Sequence, residues 1–523
     1  MQIRRLVVVL GILAAAAYVQ GCGRDEPDPV VVIGLDGADF DLLLPWLEAG
    51  HLPHLAGFLD RALVGDLPTV YPILSPVCWT SAATGVNPGK HGIFDFQKED
   101  AKGGPPIMEQ ATNRRALPVW MLLSDAGYRV GILNVPMTFP PDPVRGKMIS
   151  GFPFPSGDVV VTYPPELSEE LPDYPLDVLG LSLFEHTQDE MLREFHTGLQ
   201  ARADVAESWL VSGDFDFLWF VFTAPDKVQH FFWKDMDPNH PRHDPAAPAG
   251  YGDAILDVWK AQDAILGRLF AAMPENTRVI MMSDHGFEAV YWQINLQNWL
   301  VETELVDWLA DHATPPMMVT NGVLHYSVEG QLTGGSDRAG FLDVFSRLCR
   351  DFRDPTSGAP AFESVFTRED LYEGRMLSKA PDIVFHEAPF YYSVTGFPDS
   401  TGVPFVQAIY STSFSAYHRP EGIVAMAGPG LRPASSGDLR SRLEGGGDLD
   451  AHIMDIAPTV LALFGETVPD LMDGKPIETA FSDSLLGAQP IVRGDVPGFL
   501  FDRAEPVLSE EEKEQLEAVP YLQ

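Results

Sequence analysis

Val279-Ile280-Met281-Met282-Ser283-Asp284-His285-Gly286 decides the fold. An apolar run of strand length ends in two adjacent metal-ligand residue types and a glycine. A buried strand of a parallel sheet has this form, with its chemistry on the loop beyond its carboxyl end. The same design recurs outward along the chain. Val30-Val31-Val32-Ile33-Gly34-Leu35 runs into Asp36-Gly37. Phe217-Leu218-Trp219-Phe220-Val221-Phe222 runs into Thr223-Ala224-Pro225-Asp226, with His230 one helical turn later. Ile423-Val424-Ala425-Met426-Ala427 is preceded by His418. Asp36, Asp226, His230, Asp284, His285 and His418 thus all flank apolar strands. Six N/O ligands suit two divalent cations at three ligands each, with positions open for substrate.

A lone Asp after a strand is ordinarily a turn former or helix cap, and Asp36 taken alone reads that way. Asp226 reads equally as the cap of the helix that carries His230, and His285 as a satisfied, partly buried histidine. Two features favour a shared centre. Asp226 and His230 are four apart and share one helix face, and four strand-end sites in one chain make coincidence a poor account.

Apolar strand segments alternate with amphipathic segments of helix length: residues 42–59, interrupted at Pro53, then 117–126, 251–273 and 453–464. Residues 128–135 supply a further strand, followed by a Pro-rich stretch at 136–143 that suits neither helix nor central strand. Alternation of this kind predicts an α/β fold with a mostly parallel sheet covered by helices on both faces. Two stretches break it. Residues 151–188 are rich in Pro, Gly and Asp and read as a long surface excursion. Residues 299–389 carry short signals, a strand at 323–328 and a helix at 341–351. Segments this long inside an enzyme form lids or subdomains near the active site. Because the ligand residues span nearly the whole chain, one catalytic domain over 30–485, with insertions near 151–188 and 299–389, fits better than two domains.

The chain opens Met1-Gln2-Ile3-Arg4-Arg5, continues apolar over 6–19, and reaches Gln20-Gly21-Cys22-Gly23. A basic start and a short apolar core form a secretory signal, too short for a comfortable membrane span. Val19-Gln20-Gly21-Cys22 resembles a bacterial lipobox. That implies a signal peptide at 1–21, a lipidated Cys22, a tether over 22–29 and a bacterial cell-envelope location, periplasm-facing or on the outer membrane. An ordinary signal peptide or an uncleaved anchor is the alternative. Cys78 and Cys349 are the remaining cysteines, so a disulfide framework does not organise the fold. The net charge of −39 argues against nucleic-acid binding, which needs basic patches. Residues 486–523 read as a C-terminal tail with a charged helix signal at 509–517.

Between the first strand-end ligand and the second lies Tyr71-Pro72-Ile73-Leu74-Ser75-Pro76-Val77-Cys78-Trp79-Thr80-Ser81-Ala82-Ala83-Thr84-Gly85-Val86-Asn87-Pro88-Gly89-Lys90-His91-Gly92-Ile93. This stretch resembles the alkaline phosphatase superfamily, and within it the type I phosphodiesterase/nucleotide pyrophosphatase group. That group carries a Thr or Ser nucleophile ahead of a Thr-Gly-x-x-Pro-x-x-His-Gly-Ile segment. Counting back from Thr84-Gly85 places the nucleophile at Ser75. The resemblance extends to the strand-end ligands and to Asp455-x-x-Pro458-Thr459 and Asp473-Gly474.

It implies an alkaline phosphatase-like three-layer α/β/α sandwich and two divalent metal ions, zinc or alternatively manganese. Asp226, His230 and His418 would hold one ion, and Asp36, Asp284 and His285 the other, with Ser75 between them. The expected function is a cell-envelope phosphohydrolase cleaving phosphate esters, most of all diesters, of a small molecule or envelope component through a phosphoserine. A metal lowers the pKa of a serine hydroxyl, and a helix N-terminus near Ser75 favours an anion. A phosphotransferase or phosphomutase on the same site, a sulfatase-like enzyme and a non-catalytic envelope binding protein are the alternatives. Thr80, Ser81 and Cys78 are rivals to Ser75. The sulfatase pattern has Pro and Arg where this chain has Val77 and Trp79. Nucleotide pyrophosphatases commonly carry an Asn shortly after His-Gly-Ile, whereas Ile93 is followed by Phe94-Asp95-Phe96-Gln97, which weighs against nucleotide substrates. His91 reads as structural.

Overall fold

The computed structural model describes residues 27–98, 107–155, 159–171, 173–177, 186–248, 250–295, 317–320, 323–326, 336–354, 357–394, 406–408 and 414–501. Cys22, the signal peptide expected at 1–21 and residues 509–517 lie outside them. The strands that position the site are β1 (Val30–Leu35), β2 (Leu63–Pro68), β3 (Val130–Leu133), β4 (Gly146–Ile149), β5 (Thr162–Tyr163), β6 (Phe217–Phe222), β7 (Arg278–Met282), β8 (Gly286–Asn295), β9 (Ala416–Arg419) and β10 (Glu421–Ala427). The helices are α1 (Phe40–Glu48), α2 (Ser75–Thr84), α3 (Gln188–Ser212), α4 (Ala224–Met236), α5 (Ala254–Ala272) and α6 (Ile456–Phe464).

An eight-stranded sheet runs in the order β2-β10-β7-β1-β6-β3-β4-β5. Strands β7, β1, β6, β3 and β4 are parallel, and the edges are closed by antiparallel β10, β2 and β5. Side chains of β1 alternate with the period of two that a strand imposes. Val30 and Val32 enter a core shared with Trp79 of α2 and Val460 of α6, whereas Val31 and Ile33 enter one shared with α3, α4 and α5. Two apolar cores, one on each face of the sheet, make three layers: an α/β/α sandwich with a mostly parallel central sheet. The helix expected over 42–59 is two helices, the second starting at Pro53, where a missing N–H costs nothing.

The parallel order brings the carboxyl ends of β1, β6 and β7 side by side, so residues distant in sequence meet there. Strand β8 follows β7 almost at once and pairs with β9, with Phe287 opposite His418. This hairpin-like pair rises from the carboxyl edge of the sheet. Within the second excursion, Met317–Thr320, Val323–Tyr326, Ile383–Glu387 and Phe362–Thr367 form a four-stranded antiparallel sheet. The helix Ser336–Asp351 lies beside it in sequence, and Phe345, Cys349 and Phe385 share a separate small core.

The first excursion differs from the surface segment expected at 151–188. Its described part contains β5, buried Leu167 and a carboxylate at Asp177 that is only 5% exposed. The physical reason is a polar cluster described below. Packing also continues past residue 485: Phe499 lies in the main core, and its carbonyl accepts from the Leu117 amide. Cys78 and Cys349 are both free thiols in separate cores. No helix among the described residues is long and apolar enough to cross a membrane.

Candidate functional site

The end of β1 delivers Asp36, the end of β7 delivers Asp284 and His285, the first turns of α4 deliver Asp226 and His230, and β9 delivers His418. They gather into two groups, Asp36/Asp284/His285 and Asp226/His230/His418, each with its ligand atoms within 4.8 Å of one another. In the first, His285 Nε2 lies 3.2 Å from Asp284 Oδ2 and 3.7 Å from Asp36 Oδ1. In the second, Asp226 Oδ1 lies 3.4 Å from His230 Nε2 and 3.2 Å from His418 Nε2. The groups adjoin, with the His285 and His418 rings stacked at 3.7 Å between centroids.

The tautomers follow from the backbone. His230 Nδ1 lies 2.9 Å from the Ala416 carbonyl, His418 Nδ1 2.8 Å from that of Ile73, and His285 Nδ1 3.1 Å from that of Gly286. A carbonyl only accepts, so each Nδ1 carries a proton, and when such a ring is neutral its Nε2 turns a lone pair inward. Those lone pairs meet carboxylate oxygens, and the His230 and His418 Nε2 atoms face each other at 3.1 Å. Asp36 Oδ1, Asp226 Oδ1 and Asp284 Oδ2 have no hydrogen-bond donor. Acceptors facing acceptors, buried and unpartnered, need a cation between them. The two groups therefore fit divalent metal ions, each imidazole being oriented through its other nitrogen.

The electrostatics agree. Burial first, and then the neighbouring charge of Asp284, pushes the Asp36 carboxyl well above the ordinary range. Burial and Asp226 push Asp284 up to about 7. For Asp226 burial also raises the pKa, but His230 and His418 outweigh it and hold the carboxyl well below its usual value. Burial, helped by His418, lowers His285 and keeps it neutral.

Ser75 opens α2, and its Oγ lies 3.4 Å from His285 Nε2. The rivals are occupied elsewhere. Thr80 Oγ1 donates to the Pro76 carbonyl at 2.6 Å, and Ser81 Oγ lies 2.9 Å from His91 Nε2. His91 is wholly buried, accepts from the Ile93 amide at Nδ1, and serves packing. Cys78 is buried in the core, and burial pushes its thiol well above the ordinary range, so it has no thiolate to offer. After Ile93, Phe94 packs edge-on against Tyr372 and Phe96 stacks on Phe152, so no amide donor occupies these positions.

Three supporting residues escaped the sequence reading. Trp79 Nε1 donates to Asp36 Oδ2 at 3.3 Å. Asp39 caps α1, accepts from the Phe287 amide and is paired with Arg419, so it ties β1 to β8 and β9. Asp177 accepts from Asn134, Thr223 and Lys227, with Arg202 3.8 Å away. Burial raises the Asp177 carboxyl, but Lys227 and Arg202 outweigh it and hold it far below the ordinary range. Asp177 thereby fastens the first excursion to the start of α4, beside Asp226. A signal existed for Trp79, four residues after Ser75 on the same helix. None existed for Asp177, whose partners are all distant in sequence.

The chain matches the family model for type I phosphodiesterase/nucleotide pyrophosphatase over residues 30–405. No curated protein matches it by sequence. Among solved structures it is similar to the murine ectonucleotide pyrophosphatase/phosphodiesterase 5, at 15% identity and a TM-score of 0.50 over 84% of this chain and 95% of that one. It is also similar to phosphonoacetate hydrolase from Sinorhizobium meliloti 1021, at 16% identity and a TM-score of 0.52 over 83% and 95%. The alkaline phosphatase PafA is similar at 13% identity and a TM-score of 0.55 over 88% and 100%.

Proposed function

The chain belongs to the type I phosphodiesterase/nucleotide pyrophosphatase family, and from that premise we propose that it is a cell-envelope phosphohydrolase that cleaves phosphate esters, diesters above all, through a phosphoserine at Ser75. The observation that carries this reading is the Ser75 hydroxyl, 3.4 Å from His285 Nε2 at the junction of two groups of converging acceptors. Asp226, His230 and His418 would hold one divalent cation, and Asp36, Asp284 and His285 the other. Zinc suits such a donor set, with manganese as the alternative. When bound, such ions supply Lewis acidity and neutralise charge developing on the phosphoryl group.

The chain's own residues do the rest. Ser75 Oγ attacks phosphorus while the bond to the leaving alcohol breaks, and its proton passes to solvent as the alcohol takes one up. Water then cleaves the serine ester and restores the hydroxyl. Ser75 stands at the N-terminus of α2, where the helix dipole favours the phosphoryl anion. Phe287 and Tyr417 pack on His418 and screen that side of the site from water.

An inactive form of the murine relative is described in complex with AMP, and the phosphonoacetate hydrolase in complex with phosphonoformate. Here Phe94 and Phe96 follow the His-Gly-Ile segment, and a phenyl ring cannot donate the hydrogen bond of the Asn that nucleotide pyrophosphatases commonly carry there. This supports a small or envelope-derived phosphodiester rather than a nucleotide. Membrane attachment through lipidated Cys22 completes the reading: Cys22→Ala should release the protein or leave it unprocessed, and wild-type processing and fractionation would refute it. The catalytic reading is tested by rapid quenching of wild-type protein with an aryl phosphodiester, followed by peptide mass spectrometry. The phosphoryl group should appear on the Ser75 peptide; label on Thr80 or Ser81 instead overturns the assignment.

A further inference from the structure

Ser75 and Trp79 lie one turn apart on α2 and share a face of that helix. Both reach the same ligand group. Ser75 Oγ meets His285 Nε2 at 3.4 Å, and Trp79 Nε1–H meets Asp36 Oδ2 at 3.3 Å. An indole nitrogen only donates. Its hydrogen bond therefore takes one oxygen of Asp36 out of play and leaves Oδ1, which has no donor, facing His285.

The ring has little room to move. Trp79 is wholly buried and packs edge-to-face on Trp219 of β6, at 6.4 Å between centroids. On its other side it lies over Gly34, where even a single added Cβ would collide with the ring. Gly34 and Asp36 are two residues apart at the end of β1, so one strand end holds both the notch that seats the indole and the carboxylate that the indole grips.

We propose that Trp79 is a positioning residue for the Asp36/Asp284/His285 cation site: its N–H selects the Asp36 oxygen presented to the ion, and α2 thereby sets the nucleophile and that ligand in one rigid frame. The proposal rests on the two-ion reading above. In the bland alternative Trp79 fills the core and its N–H is incidental.

The test replaces Trp79 in the full-length protein with 3-benzothienylalanine, which keeps the bicyclic ring and has sulfur in place of the N–H. Trp79→Phe serves as a second variant. Chelator-stripped proteins are titrated calorimetrically with zinc ion alone, and thermal unfolding of the metal-free proteins is followed in parallel. A fall of about 10–100-fold in zinc affinity, the usual cost of losing a partner behind a ligand, is expected at one of two sites. The other site should bind as in wild type, and the benzothienyl variant should keep its metal-free melting temperature. Wild-type zinc binding at both sites of the benzothienyl protein overturns the role of Trp79 and leaves the two-ion reading standing. Failure of the wild-type protein to take up two zinc ions overturns both.

Discussion

Asp36, Asp284 and His285 come straight off the ends of neighbouring strands β1 and β7, whereas Asp226, His230 and His418 come off helix α4 and the short strand β9. The first group is sealed: the His285, Asp36 and Asp284 side chains are 0%, 1% and 0% exposed. It puts two carboxylates against one imidazole. The second group puts one carboxylate against two imidazoles, and its Asp226 side chain is 14% exposed. Burial and then Asp284 raise the pKa of Asp36, and two buried carboxylates create a strong demand for a counter-charge, whereas the second group has a single carboxylate, which burial raises but His230 and His418 hold low. The difference predicts different affinities: a cation should be held more tightly by the strand-end group than by the more exposed helical group.

The largest expected effect leaves this contrast intact. Ser75→Ala should lower turnover by about 10³-fold or more, because the covalent route is closed, while both groups bind zinc as before. Steady-state assay and metal analysis of the same sample check it, and near-normal turnover would break the model. Next in size are the ligand variants. Asp284→Asn should weaken zinc binding by more than about 100-fold, beyond what loss of a supporting residue costs. Asp226→Asn should do less to the overall metal content at a given zinc concentration, since its site is the weaker one in wild type. Equal losses would erase the proposed difference between the groups.

A smaller effect separates the groups by their supports. Asp177→Asn removes the charge that holds Lys227 and Thr223 at the start of α4, so zinc affinity should fall by about 10-fold at the helical group and stay unchanged at the strand-end group. A loss at both would mean that the excursion supports the whole sheet edge. The smallest effect concerns pH and the helix that Ser75 opens. Burial, with the charge of Arg114 behind it, holds His91 down at about 3, against about 6.5 in an unfolded chain. The unfolded chain takes up a proton as the pH falls below that value, and the folded chain does not. His91 therefore contributes no penalty above about pH 6.5, and stability erodes as the pH falls from there towards about 3. By pH 5 the loss is about 2 kcal/mol. His91→Gln, which keeps a donor towards Ser81, should flatten the wild-type fall between pH 7 and pH 5 by that amount in chemical denaturation.

Strands β1, β6 and β7 were legible in the sequence because a strand buried on both faces is apolar throughout and ends abruptly in polar residues. The loop beyond each such strand was marked by the same break. The grouping of the ligands depends instead on sheet order, which places β1 between β6 and β7, and the order is not written in any one segment; only the family resemblance supplied it. Strand β8 was missed because Gly286-Phe287-Glu288-Ala289 follows the Asp-His pair at once and reads as the loop itself. The first excursion misled for a related reason. Its Pro, Gly and Asp content is that of a surface loop, and nothing local distinguishes buried Asp177 from its solvated neighbours. Its burial is decided by Lys227, Thr223, Asn134 and Arg202, which the fold brings to it.

The pairing of β8 with β9 has a consequence for how this architecture varies. His418 is aimed by its place opposite Phe287, and a slip of one residue would turn it to the other face of the strand. The chain that intervenes between Asn295 and Ala416 departs from one member of this pair and returns to the other. Its segments Phe390–Val394 and Val406–Ala408 pair with β8, and Ser415 donates to the His230 carbonyl, so the returning end of the excursion is itself part of the frame that aims His418. A segment of another size grafted between the same two strands would have to keep these pairings to leave His418 and the acceptor groups in place. Selection can change what the enzyme admits only where those pairings are kept.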